Sequence, residues 1–263
     1  MTQQRKRPNK KLSKSSQEEI EDYKISKIDR SVIEEFIKLK ELDFELTNKQ
    51  KHLVRILKSN SIVTIVGPPG TSKTFIACYA AMQEFLKGKY DKIILCKPTE
   101  VLSGTKDPGA LPGTLDEKMS VYAESFFDAF EEFLENKNFK HLWDTKAIEF
   151  KPAQFLRGRS IKNAFIIIDE FQNFDSKALK SIVTRKGRNS TIVFMGDTRQ
   201  NDINKKHVSV DVFNQLIKEM GEGCETFEFK REDIVRDPLL IKLVDLWEKY
   251  EDEGKWPDTI KGA

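Results

Sequence analysis

GPPGTSKT (residues 67–74) departs at one position from the phosphate-binding pattern G-x-x-x-x-G-K-[ST], because Ser72 stands where a second glycine is usual. A glycine-proline turn before a lysine spells the same letters, so the surroundings decide. SIVTIV (61–66) precedes the loop as an apolar strand run, and FIACYAAMQEF (75–85) follows it as a helix. Strand, loop and helix in that order aim backbone N–H groups and a helix N-terminus at an anion. On this reading Gly67, Pro68, Pro69, Gly70, Thr71, Ser72, Lys73 and Thr74 wrap the phosphates of a nucleotide. Gly67 and Gly70 permit close backbone approach and unusual dihedrals. Lys73 reaches the β- and γ-phosphates, and the Thr74 hydroxyl is offered to Mg2+. Ser72 is expected to add only a small side chain beside the phosphates.

Working outward, FIIIDE (165–170) is a second apolar strand run, and it ends in two acids. Asp169 at the strand end is placed to hold Mg2+ through its water shell, and Glu170 to orient and polarise an attacking water as general base. A strand followed by a solvated acidic turn is the plainer alternative. VFMGDTRQ (193–200) is a third strand that ends in polar residues. The Gln200 amide both donates and accepts, as a γ-phosphate sensor requires, and Asp197 is placed to position it or the metal shell. Gln50, seventeen residues before Gly67, has one acceptor and one donor with which to read adenine.

Between these points short apolar runs alternate with longer amphipathic ones. KIILC (92–96), AFIII (164–168), TIVFM (191–195) and ETFEF (225–229) read as strands. Thr114 and Glu117 form a capping box for a helix whose Phe126, Phe127, Phe130 and Phe133 recur at helical spacing. That stripe reads as core, with a base-stacking platform as the alternative. Upstream, Ser31 with Glu34 opens one helix and Thr47 a second. Strands alternating with helices predict a parallel sheet covered on both faces, an α/β domain. The expected organisation is a basic disordered arm over 1–17, a helical extension over 18–45 and the nucleotide-binding domain over 46–263.

Composition sets limits on this reading. A chain of 263 residues with 38% hydrophobic content and 18 phenylalanines supports a real core. Three cysteines without CxxC spacing argue against a zinc ribbon or a disulfide scaffold, and the three histidines are scattered, so no protein metal site of that kind is expected. No apolar run reaches the ~18 residues of a membrane helix, and no apolar stretch follows the basic start as a secretion signal requires. A soluble, intracellular chain is expected. The net charge of +3 is uneven. Arg5, Lys6, Arg7, Lys10, Lys11 and Lys14 precede the first acid, Glu18, and the remainder is net negative. The arm is either a solvated tail or an electrostatic tether for nucleic acid.

Taken in order, the motifs resemble the PhoH-like family of P-loop ATPases, common in bacteria and their phages. The resemblance runs from about Thr47 to Tyr250. It includes KPTE (97–100), LPG (111–113), FLRGRSIKNAF (155–165), IIIDEFQN (166–173), VTRKGRNS (183–190), GDTRQND (196–202) and DIVRDPL (233–239). It implies a RecA-like core, hence a three-layer P-loop NTPase fold with a mostly parallel central sheet, related to superfamily 1 helicases. Carried over by motif, Gly67, Gly70, Lys73, Thr74, Asp169, Glu170, Asp197 and Gln200 serve ATP and Mg2+. Arg236 looks like the family's late arginine, a γ-phosphate sensor in its own subunit or a neighbouring one. Arg157, Arg159 and Arg185 fall in family motifs without an assigned role. The chain departs from the family at Ser72, at Lys97, which replaces a usual arginine and lacks its planar fork for phosphate, and at Asp237, where histidine is common.

The resemblance implies an ATPase coupled to single-stranded nucleic acid, RNA foremost, that works as a homo-oligomeric ring such as a hexamer in the bacterial or phage-infected cytoplasm. The length has room for one RecA-like core, without a second core or a fused nuclease. An ATP-gated binding module without turnover and an AAA+-like protein-remodelling ATPase remain open beside it. Glu170 argues against the first, and the Gly-Asp-x-x-Gln strand end against the second.

Overall fold

In a computed structural model the described residues are 37–98, 115–156, 160–197, 210–235 and 238–253. The expected arm and the helix opening at Ser31 lie outside them, except that Ile37 is buried in an irregular stretch leading to Thr47. Helix α1 (Asn48–Ser59) opens on a capping box in which the Thr47 side chain accepts from Gln50 N–H and the Gln50 side chain accepts from Thr47 N–H. Thereafter come β1 (Ile62–Val66), α2 (Lys73–Leu86), β2 (Lys92–Cys96), α3 (Leu115–Glu131), α4 (Asn136–Asp144) and β3 (Ile148–Phe150). β4 (Ala164–Ile168), α5 (Ser176–Val183), β5 (Thr191–Gly196), α6 (Val210–Met220), β6 (Cys224–Glu228) and α7 (Pro238–Asp252) complete the described chain.

Among the described residues six strands form one sheet in the order β3-β2-β4-β5-β1-β6, and every pairing is parallel. Every residue of β1, β4 and β5 is buried, as strands covered on both faces must be. Alternate side chains divide between two cores. Val63, Ile65, Ile93, Leu95, Phe165, Ile167, Val193 and Met195 face α1, α2 and α3, whereas Ile62, Val66, Ile94, Ile166, Ile168, Ile192 and Phe194 face α5 and α6. The phenylalanine stripe is core: Phe126 and Phe130 of α3 and Phe133 in the turn after it are fully buried, and Phe127 packs against them with Phe139 and Trp143 of α4. This is the three-layer α/β P-loop fold.

The register positions the site. From β1 the chain crosses by α2 to β2, and from β5 it crosses by α6 to β6 on the other side. These two connections run past each other in opposite directions on opposite faces of the sheet, and open α/β sheets bind ligands at the carboxyl ends of their strands. β5 lies between β1 and β4, with Val66 opposite Gly196 and Ile168 opposite Phe194. The loop at Gly67 and the acids at Asp169 therefore leave the sheet about 10 Å apart, two strand spacings, with Asp197 between them.

Candidate nucleotide site

The loop after β1 is held by its own polar groups. Lys73 Nζ donates to the carbonyls of Gly67 (2.7 Å) and Pro68 (2.8 Å), and buried Thr71 donates its hydroxyl to Pro68 O at 2.9 Å. Gly67 has φ +150°, and a Cβ there would stand 2.7 Å from both Cβ and O of Phe229, the residue after β6. Only glycine fits so close a passage. Ser72 is the N-cap of α2 with φ 62° and ψ 28°, and it makes no side-chain cap bond. The usual second glycine thus marks a left-handed backbone, and Ser72 adopts it at a cost of about 1–2 kcal/mol. The sequence reading weighs only the small side chain; the backbone angle is a further cost that the letter does not show. Thr74 follows in the first turn of α2, half-buried.

Beyond β4, Asp169 is buried while the Glu170 side chain is 49% exposed. Glu170 also has a left-handed backbone, φ 52° and ψ 41°, and its N–H donates to Asp169 Oδ1 at 3.0 Å. Ser72 and Glu170 are two of five non-glycine residues with positive φ among the described residues, the others being Lys146, Asn163 and Asn189. Burial raises the Asp169 pKa above the ordinary carboxylate value; the positive charge of Lys97 opposes this and Glu170 adds to it. Lys97, the first residue after β2, lies 3.4 Å from Asp169 Oδ2 and 3.6 Å from Glu170 Oε1. The expectation from its place in the family pattern was a phosphate contact. Here it meets the acids.

Asp197 is buried after β5, and its N–H donates to Oε1 of buried Gln172 at 3.3 Å. A Cβ on Gly196 would stand 2.7 Å from that oxygen and 2.8 Å from the Phe171 ring. Gln172 therefore locks the turn after β4 to the end of β5. It lies in the IIIDEFQN motif, where its only sequence signal is an amide two residues after the acid pair. Gln50 is buried at the start of α1 with its side-chain oxygen bonded to Thr47 N–H at 2.9 Å, so the acceptor expected to read adenine is engaged in the helix cap. Lys49, its neighbour, pairs with Asp233. Gln200, Arg236, Arg157 and Arg159 lie outside the described residues.

These parts fit a magnesium-bound nucleoside triphosphate: an ammonium inside a loop before an uncapped helix, and a buried carboxylate two strands away. Among the described residues no group of three or more His, Cys, Asp or Glu side chains could hold a metal by itself. Mg2+ commonly takes one or two carboxylates and completes its shell with phosphate and water.

A family model described as PhoH-like protein matches residues 44–248. The chain belongs to the PhoH-like family. A PhoH-like protein of Synechocystis is 34% identical over 206 residues, 78% of this chain and 62% of that one. A PhoH-like protein of Bacillus subtilis is 32% identical over 77% of this chain and 63% of that one. The chain thus spans about three fifths of the length of these PhoH-like relatives. Among solved structures it is similar to a Sulfolobus solfataricus SWI2/SNF2 ATPase core in complex with dsDNA, at 12% identity and TM-score 0.44 over 76% of this chain and 48% of that one. That likeness is too loose to carry an argument about function. Among the described residues no helix is long and apolar enough to cross a membrane.

Proposed function

We propose that this chain is a Mg2+-dependent ATPase coupled to single-stranded nucleic acid, RNA foremost. The observation that carries the reading is the convergence of the Lys73 loop and the Asp169–Glu170 pair on either side of Asp197, at the ends of three adjacent strands. Lys73 leaves the Gly67 and Pro68 carbonyls for the phosphates. The exposed Glu170 carboxylate orients water and takes its proton. Thr74 and Asp169 would hold the metal, which would supply neutralisation of the charge on the phosphate oxygens. Gln50 reads the base with its amide donor. Gln200 senses the γ-phosphate, and Arg236 stabilises it in its own subunit or a neighbour within a homo-oligomeric ring. The site of action is the cytoplasm.

Support for nucleic acid is a stitched basic seam. Ile161 N–H donates to Arg185 O (2.7 Å), Gly187 N–H to Ile161 O (2.8 Å) and Asn163 N–H to Arg188 O (3.0 Å), which brings Lys162, Arg185, Lys186 and Arg188 together. No acidic partner is found for these four side chains among the described residues. A phosphodiester backbone suits such a seam. The test is steady-state ATP hydrolysis with Mg2+, with and without single-stranded RNA or DNA, beside Glu170→Gln. Stimulated turnover that the substitution abolishes is expected. Tight ATP binding without turnover under every condition would make the chain a nucleotide-gated binding module instead.

A further inference from the structure

The acid pair after β4 already has a cation on it. Lys97 Nζ lies 3.4 Å from Asp169 and 3.6 Å from Glu170, its side chain is 15% exposed, and the ammonium stands 5.4 Å from the centre of the Phe126 ring. The placement is built into the sheet. β2 and β4 are paired through Cys96 and Ile168, and the ladder continues one step further as Asp169 N–H donates to Cys96 O at 2.9 Å. Lys97 and Asp169 are therefore the first residues beyond two neighbouring, hydrogen-bonded strand ends. By contrast, the Lys137–Glu135 pair is on the surface, with its lysine 78% exposed, and has the small energetic value of such pairs.

Adjacent carboxylates repel, and a buried one without a cation takes up a proton. An ammonium is a compact point charge that two carboxylates can share, whereas a guanidinium is a rigid fork that would grip them in a fixed plane. A lysine here occupies the position of an ion. It is also displaceable as an ion.

We propose that Lys97 is the resident counter-ion of Asp169 and Glu170, which keeps free Mg2+ off the acids until the metal arrives with nucleotide phosphates and takes the ammonium's place. This rests on the reading of Asp169 as the metal-side carboxylate. Since the described residues offer no protein-only metal cage, phosphate oxygens tip the competition. Metal entry is thereby tied to nucleotide entry, and Lys97 acts as a positioning residue for Asp169 and Glu170.

Mn2+ serves as the probe, its free fraction read by electron paramagnetic resonance against the full nucleotide-free chain at a pH of about 8, well above ordinary carboxylate values. Lys97→Met is expected to bind Mn2+ on the order of tenfold more tightly than wild type. Lys97→Gln, which keeps donors without charge, is expected to show the same gain, and Lys97→Arg none. Adding Asp169→Asn to Lys97→Met is expected to erase the gain. Unchanged or weaker Mn2+ binding by both neutral variants, with folding verified by circular dichroism, overturns the proposal. So does a gain that survives Asp169→Asn. Binding of a fluorescent ATP analogue, compared with Lys73→Ala, reports separately on the nucleotide reading. Its failure beside an intact Mn2+ gain would indict the loop and leave the counter-ion standing.

Discussion

Val235 donates its backbone N–H to the carbonyl of Gly70 at 3.0 Å, so the segment leaving β6 is tied to the middle of the phosphate loop. The same segment starts at Phe229, whose N–H extends the sheet by donating to Val66 O at 2.8 Å and whose Cβ fills the space beside Gly67. In the short helical turn Arg231–Asp233 between them, Asp233 accepts from Lys230 N–H at 2.6 Å and pairs with Lys49 of α1. A strap runs from the sheet to the loop, pinned at Asp233. Asp233→Ala is therefore expected to cost about 1 kcal/mol of stability from the lost cap and the partly exposed ion pair. It should also weaken ATP-analogue binding several-fold. Lost stability with unchanged affinity would show that the strap does not set the loop.

Gly67→Ala tests the close passage under Phe229. Its Cβ would meet backbone and side-chain atoms at 2.7 Å, and φ +150° adds backbone strain. Overpacking against a rigid neighbour is expected to cost about 3 kcal/mol. Urea unfolding followed by circular dichroism measures it.

Ser72 carries a left-handed backbone that glycine adopts freely. Ser72→Gly should gain up to about 1 kcal/mol from relief of that strain, less the extra entropy of the unfolded glycine chain. Nucleotide affinity should hold or improve. Ser72→Val, β-branched and ill-suited to φ 62°, should lose both stability and binding. Thermal unfolding with and without ATP separates the two effects; a Ser72→Val variant that binds normally would refute the backbone account.

Asp169 has a pKa raised in the fold, chiefly by burial. The sign follows from proton counting. Below the carboxyl's unfolded value both states hold the proton, and the stability linked to this group is fully present. As pH rises from that value towards the raised folded one, the unfolded chain ionises first and this stability is lost. Above the window the ionised acid persists as a net penalty. Asp169→Asn should therefore be more stable than wild type without nucleotide, with a margin that widens with rising pH through that window and then levels off. Urea unfolding at several pH values checks this, and a margin that narrows with rising pH would contradict it.

Much of the architecture is local enough to read from the chain. The runs 61–66, 92–96, 164–168 and 191–195 are apolar on both faces because each is covered on both faces, and the strands fall on them within a residue. Thr47 with Gln50 caps α1 as spacing requires, and the phenylalanines of α3 recur towards one core. Strand β3, with three residues, and the helices α4 to α7 had no comparably strong local signal. Their boundaries follow from what they pack against.

The sequence by itself determined that a phosphate loop follows a buried strand and that two acids end another, because those features depend on residue type and order alone. Only the tertiary structure decided what stands between them. Parallel pairing inserts β5 between the two strands and brings Gln172 to Asp197. It carries Phe229 and Val235 back over the loop and sets Lys97 on the acid pair, contacts between residues 25 to 165 positions apart that no local pattern encodes. Ser72 joins both accounts. Its letter signalled an exception, and its backbone angle explains why glycine is the usual choice there.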